Sequence, residues 1–317
     1  MMSRLARPLL VSVGFGIALY AGAMVYTDAS VVADAAIRLG ISGWALLLSL
    51  SLLNYLIRFA RWHWYLHLFG KQIPWGRHLA YYVAGFAFTT TPGKAGEAVR
   101  SLYLNRHGVP WSQSLAVLFV ERLLDLAAIA ILAIAAAWSF ASARWPVAVA
   151  LIGVLAALAL LHHPQLDRLL GRLTTRCNWP RLARGIRHLR ALLRDSAQLL
   201  QPQLRHPGLL LGLIAWGAEG IGFFVILHAL ETPISLLSAL GIYAAGILAG
   251  ALSFIPGGLG STEAVMVLLL GLAGVEMPTA LAATLLCRLA TLWFAVVLGL
   301  AALGWLELGG TQRHANL

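Results

Sequence analysis

Apolar stretches long enough to cross a bilayer recur along this chain, and that recurrence decides the fold class before any motif is read. Residues 9–26, 43–60, 112–138, 145–161, 208–230 and 279–305 each approach or exceed the roughly 20 residues that span a hydrocarbon core. Composition agrees: of 317 residues, 60% are hydrophobic and 11% charged, where a soluble domain carries about 25% charged residues. Backbone amides inside a bilayer must satisfy one another within each segment, which a helix does. The reading is a single all-α, polytopic integral membrane domain over 1–317. About six spanning helices are expected.

The formal charge of +11 comes almost wholly from arginine, since Lys71 and Lys94 are the only lysines. In such a chain the excess marks cytoplasmic loops and anionic headgroups, not nucleic acid. Arg4 and Arg7 precede the first apolar run, which is read as an anchor running inside to outside. The small residues Ala21-Gly22-Ala23 leave a cleaved signal peptide as the alternative. Arg58, Arg61, Lys71 and Arg77 put the far end of the second span on the cytoplasmic side. Trp62, Trp64 and Tyr65 there read as an interfacial aromatic belt. Arg38 and Arg144 fall on assigned outer loops. Both termini are therefore expected in the cytoplasm of a bacterial cell, with the chain in its inner membrane. Residues 162–207 form a basic cytoplasmic insertion with nine Arg, Asp167 and Asp195. Within it, 181–200 has the pattern of an amphipathic helix at the membrane surface, with a solvated loop face as the plain alternative. Cys177 and Cys287 suit neither a disulfide nor a metal motif, and the histidines have no ligand spacing. No metal and no cofactor are expected.

Two stretches of the chain echo each other. Pro92-Gly93 and Pro256-Gly257 are each followed by a glycine four positions after the proline, Gly96 and Gly260. Each then carries Glu-Ala-Val, at Glu97 and Glu263. Each glutamate is followed 25 residues later by an arginine in an apolar helix, Arg122 and Arg288. Upstream, Tyr82-Val-Ala-Gly85 matches Tyr243-Ala-Ala-Gly246. We read an internal repeat, 79–138 and 235–305, of a kind that builds substrate sites at repeat interfaces. Residues 79–91 are too short to span comfortably and stop at Pro92-Gly93. They are expected to enter the membrane, break, and return as a re-entrant hairpin. A surface helix and loop is the plain alternative. Residues 235–275, broken at Pro256-Gly257-Gly258, would form the second hairpin, making the repeats inverted. A full span at 235–255 remains open.

Ionisable residues in the middle of spans cost roughly 2.5–3.5 kcal/mol each on insertion scales. Glu121, Arg122, Asp125, Glu219 and Arg288 all sit there, with Lys94, Glu97 and Glu263 at the helix breaks. Such groups must pair or line a wet cavity. A structural salt-bridge network that pins helices is the plain alternative; two arginines at equivalent depths of the two repeats, beside two broken helices, stand against it. Arginine suits phosphate, because its planar fork stays charged and binds two oxygens. Free N–H groups at helix starts after Gly96 and Gly260 would add anion affinity. The implied ligand is an anionic lipid headgroup, gripped by Arg122 and Arg288 with Lys94 assisting. Glu97, Glu121, Asp125 and Glu263 would balance charge or carry protons, and Glu219 would serve a proton or structural role. Pro92, Gly93, Gly96, Pro256, Gly257, Gly258 and Gly260 would act as gates or hinges.

Pro92-Gly93-Lys94-Ala95-Gly96-Glu97 with Arg100, the Glu121-Arg122-x-x-Asp125 cluster, and Pro256-Gly257-Gly258-Leu259-Gly260 with Glu263 resemble the lysylphosphatidylglycerol synthase transmembrane region, the flippase-like or UPF0104 family. The resemblance covers most of the chain. It implies a membrane module that moves lipids between leaflets, here a stand-alone member with no aminoacyltransferase domain after the last span. Lipid, glycolipid, polyprenyl-linked sugar and hopanoid pathways are all compatible with it. The expected function is a lipid translocase, a transporter more than an enzyme. Two alternatives stand beside it. One is a membrane-embedded lipid-phosphate transferase with Glu or Asp as base, and the other a non-catalytic partner that docks a biosynthetic enzyme through 162–207.

Overall fold

A computed structural model describes residues 29–91, 97–176 and 179–314. Among them no strand occurs, and the chain is all-α. Among the described residues four helices have the length and apolarity to cross a membrane: Ser30–Leu68, Ala141–His162, Pro202–Ala229 and Met277–Leu308. The apolar run at 9–26 lies outside the described residues, as do Pro92, Gly93, Lys94, Gly96 and Cys177.

The first described helix, α1 (Ala29–Leu68), is longer than the expected 43–60 span at both ends. The outer loop assigned around Arg38 is helical from Ala29, because Val32, Ala35 and Leu39 recur at helical spacing and are buried. Gly40, at φ 64°, redirects the helix in its middle. At the other end, Trp62 and Tyr65 are buried with Arg58 and Arg61. They are core residues, not the exposed aromatic belt expected from sequence.

Next come α2 (Trp75–Ala84), a 3-10 turn (Gly85–Phe88) and the short α3 (Val99–Asn105). The expected break after residue 91 is thus flanked by helix on both sides. The expected 112–138 span is two helices, α4 (Trp111–Leu132) and α5 (Ile134–Ser139), joined at Ala133. Helix α6 (Ala141–His162) follows. The basic insertion folds as a hairpin, α7 (Pro164–Arg176) and α8 (Pro180–Leu199). Pro180 opens α8 at a position where its missing N–H costs nothing.

Helix α9 (Pro202–Ala229) leads to α10 (Leu236–Leu252), whose start is capped by the Ser235 hydroxyl accepting from Ser238 N at 3.2 Å. A 3-10 turn at Pro256–Gly258 separates α10 from α11 (Ser261–Leu272). Gly257, Gly258 and Gly260 all have positive φ, the conformation that glycine adopts without penalty. The last apolar segment is α12 (Met277–Arg288), one π turn (Leu289–Trp293) and α13 (Phe294–His314).

Helix α1 packs along α9, and α12 with its π turn packs on α1. The two Pro-Gly segments cross over onto each other. Helix α10 of the second lies on α4 and α5 of the first; α13 of the second lies on α2 and the 3-10 turn of the first. Both crossings are backbone-tight. A Cβ on Gly241 would overlap the Ala136 amide, and one on Gly299 would overlap the Ala87 amide.

Candidate functional site

The midpoint of α4 carries three of the ionisable residues singled out from sequence, Glu121, Arg122 and Asp125, and the structure places three more arginines around them. Glu121, buried, accepts from Arg58 Nη2 at 3.0 Å, Tyr82 Oη at 2.9 Å and Arg122 Nη2 at 2.7 Å. Its other oxygen lies 3.4 Å from Arg100 Nη1. Asp125 pairs with Arg58 at 3.0 Å and with Arg61, while Arg122, one turn away on the same helix, is 3.9 Å off. Arg61 also donates to the Gly208 carbonyl at 3.0 Å, tying α1 to α9. Glu97 joins from the far side of the break, 3.1 Å from Arg122 and 3.2 Å from Arg100. Arg100 also lies over the Tyr82 ring at 3.9 Å, which adds a cation–π contact to its two carboxylate partners. Buried ion pairs of this kind hold only when each charge has partners, because the desolvation cost is several kcal/mol per ion.

The second segment builds a smaller version. Arg288 Nε donates to Glu263 at 2.7 Å, and its Nη2 donates to the Gly257 carbonyl at 2.7 Å. The other Glu263 oxygen accepts the Gly260 amide at 2.7 Å. One side chain thus fixes the Pro-Gly-Gly turn to α12, and Glu263 closes the start of α11 back onto the Gly260 amide. Tyr243 donates to Glu219 across α9 and α10. The Glu-to-Arg spacing seen in the sequence is, in both segments, an ion pair: Glu97 with Arg122, Glu263 with Arg288.

Between the two clusters lies a cavity of 340 Å³, within the range of small-molecule sites. Arg58, Glu97, Arg122 and Asp125 form one polar wall; Glu219, Tyr243 and Arg288 form the other. Leu252, Phe254 and Ile255 line its mouth and are exposed, Phe254 at 74%. The cavity therefore carries charged groups on both walls and apolar residues at the rim. Arg122 is the most exposed of the arginines in the two clusters, its side chain 26% open against at most 6% for Arg58, Arg61, Arg100 and Arg288.

Of the residues chosen from sequence, Glu97, Arg122, Asp125, Glu219, Gly257, Gly258 and Arg288 line this cavity. Glu121 and Glu263 stand behind it as partners of the arginines. Pro256 and Gly260 flank the second break without lining the cavity. Lys94, Pro92, Gly93 and Gly96 lie outside the described residues. Sequence reasoning missed Arg58, Arg61, Tyr55, Tyr82, Tyr243 and Trp216 as site residues, and used Arg100 as a motif residue only. One signal was present: Arg58 precedes Tyr82 by 24 residues, and Glu219 precedes Tyr243 by 24. The matching motif therefore reaches back into α1 and α9. Among the described residues no cluster of His, Cys, Asp and Glu has the form of a metal site.

Comparison with known proteins places these residues in a wider set. The family model described as the lysylphosphatidylglycerol synthase TM region matches residues 11–299. A UPF0104 membrane protein of Methanothermobacter thermautotrophicus is 29% identical over 122 residues, covering 37% of this chain and 36% of that protein. A UPF0104 membrane protein of Pyrococcus horikoshii is 36% identical over 91 residues, covering 29% of this chain and 27% of that protein. The chain thus spans about a third of the length of these curated relatives.

Proposed function

Because the chain belongs to the lysylphosphatidylglycerol synthase TM region family, we propose that it is a lipid translocase whose cavity takes the headgroup of an anionic lipid while the hydrocarbon tail stays outside. The observation that carries this reading is the cavity itself. It joins arginines of both Pro-Gly segments to an apolar rim at Leu252, Phe254 and Ile255. An amphipathic cavity suits an amphiphilic ligand. The first cluster holds four arginines against three carboxylates, Glu97, Glu121 and Asp125. That leaves one positive charge in excess, and Arg122 is the most exposed of the four and lines the cavity. A phosphate there gains charge-assisted hydrogen bonds without displacing a carboxylate.

In this reading the two segments are inverted repeats with re-entrant hairpins. Their breaks at Pro92-Gly93 and Pro256-Gly257 move the cavity between leaflets of a bacterial inner membrane, with both termini cytoplasmic. Arg122 grips the phosphate, and Arg288 holds the second break closed through Glu263 and Gly257.

The test is leaflet exchange of a fluorescent anionic phospholipid in vesicles containing the purified chain. Wild type should exchange lipid far faster than empty vesicles. Arg122→Ala should abolish the exchange while its thermal unfolding stays close to wild type, since Glu121 and Glu97 keep Arg58 and Arg100. Exchange by Arg122→Ala at the wild-type rate, or none by wild type, overturns the reading.

A further inference from the structure

The strongest feature outside the cavity is the α7–α8 hairpin. Two independent physical arguments bear on what it meets. The first is where the chain puts it. Helix α6 ends at His162 and α7 begins at Pro164; α8 ends at Leu199 and α9 begins at Pro202. Helices α6 and α9 both have the length and apolarity of membrane spans. A two-residue connection reaches only about 7 Å when extended, so the hairpin is held against the membrane face at both ends.

The second argument is the composition of its free surface. On α8 an apolar stripe runs through Leu182, Ile186, Leu189 and Leu193. Its C-terminal end is packed on α4, where Ser196 and Leu199 are buried. Toward its N-terminus Leu182 and Leu189 are exposed, at 56% and 46%, while Ile186 is half-buried. Helix α7 adds exposed Leu169 and Leu173, and Trp179 stands exposed between the helices. Exposed arginines, including Arg168, Arg172, Arg181, Arg184 and Arg187, flank these apolar residues. The acids do not offset them: Asp167 is engaged by Arg190 and Arg194, and Asp195 is partly buried. Apolar residues alternating with cations, plus a tryptophan, fit the boundary between headgroups and acyl chains. An acidic protein or a nucleic acid would satisfy the arginines and leave the leucines in water.

We propose that the α7–α8 hairpin is a docking surface for anionic phospholipid, its leucines entering the acyl boundary and its arginines holding headgroup phosphates. Because α8 packs on α4, which carries Glu121, Arg122 and Asp125, the surface lipid and the cavity share one helix. The inference is independent of lipid transport and stands or falls separately from it.

The experiment places a nitroxide at Leu182→Cys, with His188→Cys as control, in the full chain lacking Cys177 and Cys287. The chain sits in nanodiscs of phosphatidylcholine with increasing phosphatidylglycerol. Oxygen should reach the Leu182→Cys label and a nickel chelate should not, and this preference should grow with phosphatidylglycerol. The His188→Cys label should show the reverse. Each arginine is worth about a fivefold change in association with an anionic surface. Arg181→Gln, Arg184→Gln and Arg187→Gln together should therefore weaken the association about a hundredfold and move half-maximal burial to a higher phosphatidylglycerol fraction. Added salt on the unmodified arginines should shift it in the same direction. Free access of the chelate at Leu182→Cys in every bilayer overturns the proposal. Protection from both reagents does so too, because a protein surface would then cover the hairpin.

Discussion

The two Pro-Gly segments share a skeleton and differ in charge. Each has a helix, a break, a second helix, and an arginine on the third that pairs with the glutamate after the break. Each also gives up a side chain at the same place. A Cβ on Gly85 would overlap Arg100, and one on Gly246 would overlap Met266. Arg100 and Met266 both stand three residues after the paired glutamate. The backbone register is therefore the same, and the occupant of the space is a cation in one segment and a thioether in the other. The same exchange recurs around the pair. In that register Glu121 corresponds to Cys287, Asp125 to Thr291, and Arg58 to Glu219. The first segment is a dense ionic cluster; the second is a single ion pair beside a carboxylate bonded to tyrosine. Geometry is duplicated while chemistry is not, and the cavity between them has two unlike walls.

The sharpest way to break this comparison is to remove the acid that only the first segment has. Glu121 accepts from Arg58, Tyr82 and Arg122 while buried. Glu121→Gln leaves those guanidiniums with one carboxylate fewer, and uncompensated buried charge costs about 3–5 kcal/mol. The corresponding Cys287→Ala change removes a small buried apolar group and should cost about 1 kcal/mol or less. Thermal unfolding of the two variants in the same detergent checks the contrast. Equal losses would mean that the first cluster is no more integrated than the second.

The reciprocal packing offers a smaller effect that should be shared by both segments. Gly241→Ala pushes α10 off α5, and Gly299→Ala pushes α13 off the 3-10 turn at Phe86–Ala87. Overpacking of this kind costs about 1–3 kcal/mol, so the two variants should fall together within that range. If Gly299→Ala alone is damaging, the crossings are not equivalent.

Much of this was readable from sequence, for identifiable reasons. Apolar run length gave the membrane class, because helix length against bilayer thickness is a local property. The Glu-to-Arg spacing marked a repeat but not an ion pair; in each segment the chain runs through one short helix and one turn into the next helix, and only the packing brings the arginine of α4 or α12 back to the glutamate. The ends of α1 were less legible. Arg58 and Arg61 sit where a positive-inside count expects loop cations, and only the packing of α4 against α1 turns them into partners of Glu121 and Asp125. Trp62 and Tyr65 misled for the same reason, since interface and core aromatics have the same composition. The break at Ala133 and the π turn after Arg288 leave no signal in hydropathy, because alanine and leucine suit either geometry.

The smallest expected effect lies outside the spanning helices and tests whether the α7–α8 hairpin is held as tightly as the buried clusters. Asp167 receives two hydrogen bonds from Arg190, each 2.7 Å, and a third from Arg194 at 3.1 Å. These hold its carboxyl down at about 2, against an ordinary aspartate value near 4. A carboxyl depressed in the folded state contributes stability that is complete above about pH 4 and lost as pH falls toward 2. The site is partly exposed, so the effect is local and does not unfold the protein. Hydrogen exchange across 164–199 should be slow at pH 5 and quicken relative to the rest of the chain, after correction for intrinsic rates, near pH 2.5. In Asp167→Asn the region should exchange faster already at pH 5 and show no further relative change on acidification. Identical pH profiles for the variant and the wild type would mean that apolar packing on α4, rather than this bridge, holds the two helices together.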